Sequence, residues 1–279
     1  MNKTQMLVAV CCACLLTLTV TAEDWPHWRG ANRNDVVNES SFWSGGKWLA
    51  EAPLWKSNVG EGGSSPIVAG NKLFALGWVK GNDVVSCLDA KTGTAIWSTS
   101  CECPRYGRQA TGDEGLYSGP TSTPEYDVAT GLLYTLSCDG DLICRDTARQ
   151  GAQVWRINLY DRFKIGRRPR IGRSGHRDYG YTTAPLVHDD WVLVEAGAED
   201  GMVMAFDKKT GSHVWSSEAK GPAGHAGGLV PMQVEGIPCV AVLTCYDLLV
   251  TRIDAKGAGK TVAKYEWPTS FINNIATPA

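Results

Sequence analysis

Three copies of one pattern constrain this chain more than any other feature. Each opens on a Ser/Thr-x-Pro or Thr-Ala-Pro step and closes on a Trp 30 or 31 residues after the Pro: Pro66 to Trp97, Pro124 to Trp155, Pro185 to Trp215. A fourth, looser copy runs from Pro231 to Trp267 over 36 residues, and a fifth begins at Ala276-Thr277-Pro278. Self-similarity at a fixed period means one supersecondary unit used repeatedly, which cannot bury its apolar face without neighbours. Inside the second copy, β-rich runs at about residues 123–126, 132–137, 141–145 and 152–157 are separated by turn chemistry. Asp139-Gly140, and Asp200-Gly201 in the third copy, are hairpin signals because Gly accepts the positive φ of a tight turn. Asp89-x-x-Thr92-Gly93 and Asp207-x-x-Thr210-Gly211 then turn a third strand into a fourth, Asp bonding its own backbone and Gly supplying left-handed geometry. Four antiparallel strands per unit, stacked radially, make an all-β propeller blade.

The composition agrees. Eleven Trp against five Phe, with 31 Gly, fits a recurring Trp position and many turns. A large flat side chain at the end of each outer strand can pack between blades, so Trp97, Trp155 and Trp215 are expected to be structural. A net charge of −2 excludes a general nucleic-acid binder.

Residues 1–22 read as a secretory signal: Lys3, an apolar run over residues 6–20, and Val20-Thr21-Ala22 before Glu23. The run is shorter than the ~20 residues needed to span a bilayer, so the cleaved chain is expected not to be transmembrane. Cleavage would leave seven Cys: 87, 101, 103, 138, 144, 239 and 245. An odd number leaves at least one thiol unpaired; the others are read either as disulfide partners or as small buried hydrophobes.

The Ala-x-Asp-x-x-Thr-Gly-x-x-x-Trp style of repeat resembles that of the pyrroloquinoline-quinone (PQQ) enzymes and their non-enzymatic propeller relatives, over nearly the whole mature chain. Residues 24–30, Asp-Trp-Pro-His-Trp-Arg-Gly, followed by Asn32-Arg33, resemble the N-terminal signature of exported quinoprotein-like propellers of planctomycete-type bacteria. The resemblance implies a domain order of signal peptide (1–22), N-terminal segment (23–63) and blades at about 64–98, 121–158, 182–217 and 228–267. It also makes Leu54-Trp55-Lys56 a partial outer strand that closes a ring. Relatives carry seven or eight blades, so about four blades and the start of a fifth imply a C-terminally truncated chain, or a ring completed by two chains.

What the resemblance implies about chemistry is less favourable. Quinoprotein dehydrogenases hold the quinone over the central axis beside a Ca²⁺ bound by carboxylate and amide oxygens, commonly with a disulfide between adjacent Cys. The only adjacent pair here, Cys11-Cys12, lies in the signal segment. Glu195, Glu199, Asp200, Asn273 and Asn274 are candidate oxygen ligands that no spacing singles out. No cofactor is therefore expected, with PQQ and calcium as the alternative. Cys101-Glu102-Cys103-Pro104 is of a type that can contribute to a metal or redox site, but it lacks a second Cys pair and nearby His, so no metal is assigned there. His213, beside a turn, reads as solvent-exposed.

One segment departs from its surroundings. Arg162, Lys164, Arg167, Arg168, Arg170, Arg173 and Arg177 are seven of the chain's 27 basic residues, within a stretch that has no acidic residue. They fall on a crossover between blades, where propellers present binding loops, and several Arg together can hold carboxylate, phosphate or sulfate. The competing reading is a solvated loop pairing with the acidic remainder. The leading function is accordingly a periplasmic or cell-envelope scaffold binding a protein or anionic polymer, similar in scaffold to the propeller lipoprotein of the outer-membrane barrel-assembly machinery. The alternatives are a quinoprotein-type dehydrogenase acting on an alcohol or sugar, similar to polyvinyl-alcohol dehydrogenases, and a fragment without independent function.

Overall fold

The computed structural model describes residues 23–39, 45–46, 52–104, 119–166, 180–224 and 227–266. Among them are four separate four-stranded antiparallel sheets, each in simple meander order. Blade 1 holds β1 (Ile67–Ala69), β2 (Lys72–Val79), β3 (Asn82–Asp89) and β4 (Ala95–Glu102). Blade 2 holds β5 (Glu125–Asp127), β6 (Leu132–Leu136), β7 (Asp141–Asp146) and β8 (Ala152–Asn158), followed by a short helix α1 (Leu159–Phe163). Blade 3 holds β9 (Leu186–His188), β10 (Trp191–Ala198), β11 (Gly201–Asp207) and β12 (His213–Ser216). Blade 4 holds β13 (Val230–Val234), β14 (Ile237–Leu243), β15 (Asp247–Arg252) and β16 (Thr261–Glu266). The molecule is a β-propeller of four-stranded blades, as the repeat predicts, and each strand of the second copy lies within two residues of its expected bounds. Trp267 and residues 276–279 fall outside the described residues, as does the signal segment. No helix among the described residues is long and apolar enough to cross a membrane.

The middle strands β6, β7, β10 and β11 are buried almost throughout, because both faces of an inner blade are covered by neighbours. The core therefore lies between blades. Leu133 of blade 2 packs with Phe74 and Trp97 of blade 1, and Val194 and Phe206 of blade 3 with Tyr134 and Trp155 of blade 2. Val240 and Val242 of blade 4 pack with Leu193 and Val203 of blade 3.

A recurring Trp seat joins the blades. The Trp97 ring lies on Gly151 of the next blade and the Trp155 ring on Gly211; a Cβ there would sit 2.6 and 2.7 Å from ring carbons. Trp55 lies on Gly93 in the same way, although residues 52–60 form no strand. The Gly of each turn thus has two reasons to be Gly: a positive φ of 70–74° and an aromatic ring where a side chain would be. The Asp of the turn accepts the Thr amide and hydroxyl at 2.8 and 2.9 Å in both Asp89-Thr92 and Asp207-Thr210. Trp55 and Trp155 donate their indole N–H to the carbonyls of Ala90 and Lys208, each one residue after that Asp. The blade 2 turn is one residue longer, and Trp97 Nε1 has no acceptor. In blade 4 the turn is longer again; Trp215 instead meets Trp191 edge-on at 5.9 Å, and its N–H also lacks an acceptor.

The N-terminal segment crosses the inner strands. Trp25 pairs with Val68 of β1 through both backbone groups, and Pro26 O accepts the Tyr126 amide of β5. Glu125, 0% exposed, meets His27 Nδ1 at 3.1 Å and the Arg33 guanidinium, and accepts the Val187 amide of β9 at 2.9 Å. Burial pushes the Glu125 carboxyl up; the charges of Arg33 and His27 outweigh it and hold the group below its ordinary value.

Candidate functional site

Antiparallel meanders place the β2–β3, β6–β7, β10–β11 and β14–β15 hairpins at one end of the blades, together with the start of every blade-to-blade crossover. That end carries most of the residues with chemical potential, in two clefts.

The first cleft, of about 290 Å³, is lined by residues 164–166 of the crossover after blade 2, residues 197–199 of blade 3, and Gly221 and Pro222. Asn158 caps α1 by accepting the Asp161 amide at 3.0 Å, and Lys164 ends the helix in left-handed geometry at φ 51°. Arg162 places its guanidinium 5.7 Å from the centre of the Phe163 ring, and Phe163 packs against Phe206 and His213. The crossover is therefore rooted by aromatic packing up to Lys164. Arg167, Arg168, Arg170, Arg173 and Arg177 lie outside the described residues. His213 is exposed and bonds Ser216 Oγ at 2.9 Å; partial burial and then the Arg162 charge lower its pKa.

The second cleft, of about 390 Å³, lies between blades 1 and 2, with Glu102, Pro104, Asp139, Asp141, Asn158 and Asp161 among its lining. Asp141 is tied to Arg156 by two bonds of 2.8 Å. Behind this cleft the buried thiols of Cys103 and Cys138 stand 3.6 Å apart, with Ser137 Oγ 3.4 Å from Cys103. The contact with Cys103, and then burial, keep the Cys138 thiol well above its ordinary pKa. Asp83 of β3 is 2% exposed, and no cation is among the groups that chiefly act on its carboxylate. Burial is the main cause that raises its pKa to about 6, opposed by Ser137 and Cys103. The Asp139-Gly140 turn differs from the two-residue hairpin read in the sequence: Ser137 N bonds Asp141 O, leaving a three-residue loop of 138–140. Ser137 Oγ accepts the Asp139 amide at 3.1 Å and closes that loop.

The sequence singles out Cys103 within a Cys-x-Cys step but does not bring Cys138 or Asp139 to it. Cys101, two residues away, is half-buried and a separate free thiol; all seven Cys among the described residues are unbonded. The signal that could have found Cys138 is its separation of 35 residues from Cys103, which carries the chain from the end of one blade to the upper hairpin of the next.

The oxygen ligands considered for a calcium-quinone centre are not gathered. Glu195 is fully buried in β10 and accepts the Gly224 amide at 2.7 Å, while Glu199 and Asp200 are exposed at the hairpin. Asn273 and Asn274 lie outside the described residues. Among the described residues, the one set of three His, Cys, Asp or Glu groups within reach of a single ion is Cys103, Cys138 and Asp139. Two thiols and one carboxylate do not make the all-oxygen cage that calcium takes, so the described residues do not fit that centre.

Comparison with known proteins places these features in context. Residues 81–258 match the sequence profile of a family described as outer membrane protein assembly factor BamB. The chain is 30% identical over 164 residues to the dehydrogenase subunit of a quinone alcohol dehydrogenase from Gluconobacter oxydans, covering 57% of this chain and 19% of that protein. Its counterpart in Gluconacetobacter polyoxogenes is 27% identical over 185 residues, 65% and 22% of the two chains. The chain thus spans about a fifth of the length of these curated relatives. Among solved structures, BamB from Moraxella catarrhalis aligns at TM-score 0.49 and 18% identity, covering 80% of this chain and 57% of that one. A europium-containing methanol dehydrogenase aligns at TM-score 0.39 and 15% identity, covering 75% and 51%.

Proposed function

The chain belongs to the PQQ-like β-propeller repeat family, and from that premise we propose that it is an exported scaffold of the periplasm or cell envelope. It holds a protein or anionic polymer against the face where hairpins and crossovers converge. The observation that carries this reading is the cleft beside Lys164, rooted by α1, at which the basic segment of residues 162–177 begins. A packed root followed in sequence by five further Arg suits recognition of carboxylate or sulfate. The family's description as an assembly factor supports a role in holding partners.

Titration of the chain with a sulfated polysaccharide and with an uncharged one tests it. Saturable binding of the first alone, weakening with salt and lost in a variant with Arg162, Lys164, Arg167 and Arg168 changed to Ala, supports the reading. Equal behaviour of the two polymers counts against an anionic ligand. Export is checked separately: a protein recovered from the periplasm of a bacterial host should begin at Glu23.

The quinone dehydrogenase relatives favour a second reading, an alcohol- or sugar-oxidising enzyme. Calorimetric titration with PQQ and Ca²⁺ tests that, and saturable uptake by the folded chain would replace the scaffold reading.

A further inference from the structure

The joint between blades 1 and 2 carries a second set of groups, unrelated to the basic crossover. Cys103 follows the last residue of β4 and is held by its amide to Gly81 O at 2.8 Å, while Trp78 donates its indole N–H to the Cys103 carbonyl. Cys138 and Asp139 sit on the closed hairpin of the next blade. One ligand atom from each of Cys103, Cys138 and Asp139 lies within 4.8 Å of the other two, and all three residues are buried. We propose that Cys103, Cys138 and Asp139 bind a thiophilic divalent cation of the zinc type, bridging blades 1 and 2.

The spacing supports a shared ion rather than a covalent bond. The sulfurs stand 3.6 Å apart, far beyond the ~2.05 Å of a disulfide. Metal–sulfur bonds of about 2.3 Å in a tetrahedron put two sulfurs about 3.8 Å apart. The backbone need not move for both thiolates to reach one ion, because each is carried on a segment already fixed by hydrogen bonds.

An independent observation points to the same place. Asp83 is a buried carboxylate whose polar neighbours are Cys103 and Ser137, with no cation among the groups that chiefly act on it. A buried anion in that condition calls for a cation. The arginine that lines the cleft, Arg156, is already committed to Asp141. Asp83 lies outside the set of three and adds negative charge beside the Cys103 thiol. The cleft lined by Glu102, Asp139, Asp141 and Asp161 offers a negatively charged route by which an ion reaches Asp139.

Binding needs no oxidant. The ion displaces a proton from each thiol, so two S–H bonds break, two metal–sulfur bonds form and two protons leave to solvent, while Asp139 binds as carboxylate. The probe is Co²⁺ added to the reduced 279-residue chain. One equivalent should produce thiolate-to-metal charge-transfer absorption, release about two protons at neutral pH, and be displaced by Zn²⁺. Cys138→Ala should abolish the absorption, and Asp139→Asn should weaken binding by about 10- to 100-fold, the loss typical of groups supporting a metal site. Cys239→Ala, in blade 4, should change neither. Alkylation mapping of the unaltered protein supplies a readout that does not depend on a variant folding: added Zn²⁺ should protect Cys103 and Cys138 and leave Cys101 labelling unchanged. Folded, reduced protein that shows neither the absorption nor the protection overturns the proposal. So does absorption that persists in Cys138→Ala, or a Cys103–Cys138 disulfide in protein isolated without reductant that takes up no ion after reduction.

Discussion

Glu125 and Asp83 are both carboxylates withdrawn from water, at 0% and 2% exposure, yet they sit on opposite sides of the ordinary acid range. Glu125 has Arg33, His27 and the Val187 amide around it and stays below its usual pKa. Asp83 has a serine, a thiol and further acids, and rises to about 6. Burial is common to the two; the cations supplied are not. One carboxylate is a finished joint that fastens the N-terminal segment to the blades, and the other is an unfinished one.

The comparison can be broken most forcefully at Arg33. Arg33→Ala leaves a buried charge with only His27 and the Val187 amide beside it and should cost about 3 to 5 kcal/mol at neutral pH, read as a lower unfolding midpoint in urea. Asp83→Asn should act in the other direction. In metal-free protein it should stabilise the fold above pH 6 by up to about 3 kcal/mol, the linkage equivalent of a shift from 3.8 to about 6. The sign follows from the raised folded-state pKa: Asp83 is without penalty below about pH 4, where both states are protonated, and stability falls as pH rises toward 6. Unfolding measured against pH should therefore show the variant and the parent converging in acid and separating to a plateau above pH 6. Glu125 slopes oppositely, since its contribution is complete above the unfolded value of 4.5 and is lost as pH falls through the lowered folded value.

The same logic extends to neutral donors. Trp155 has an acceptor for its indole N–H and Trp97 has none. Substitution of each by Phe removes similar volume, so Trp155→Phe should cost about 1 kcal/mol more than Trp97→Phe, measured by thermal unfolding. The smallest effect belongs to the exposed pair of Arg149 with Asp146. Arg149→Ala should change stability by no more than about 0.5 kcal/mol; a larger loss would mean that pairing itself, rather than burial, governs the contrast.

The blades were legible from sequence because their signals are local. Asp89 with Gly93, and Asp207 with Gly211, act within five residues of each other, and period-2 strands flank each pair. The second reason for Gly93 and Gly211, an aromatic ring arriving from another part of the chain, has no local signature. Glu125 lies 98 residues from His27 in an inner strand that looks unremarkable, so the charged joint was invisible even though residues 24–30 were recognisable as a motif. The thiol pair was half-seen: Cys101-Glu102-Cys103 invites a pairing of neighbours, but β4 ends at Glu102 and sends Cys103 toward the next blade. The basic crossover was legible as charge alone, and only Arg162 and Lys164 of its seven members fall within the described residues.

The N-terminal fastening also sets an order of events. Each blade closes through hairpins between adjacent strands, contacts of short loop length that form early. Residues 25–33 leave the ribosome before blades 1 and 2, but Val68, Glu125 and Tyr126, which hold them, are spread over those two blades. Closing such long loops must wait until those blades exist. A segment synthesised ahead of these blades is thus seated after them, and the amides of Val68 and Tyr126 should gain protection from hydrogen exchange after those within the blades.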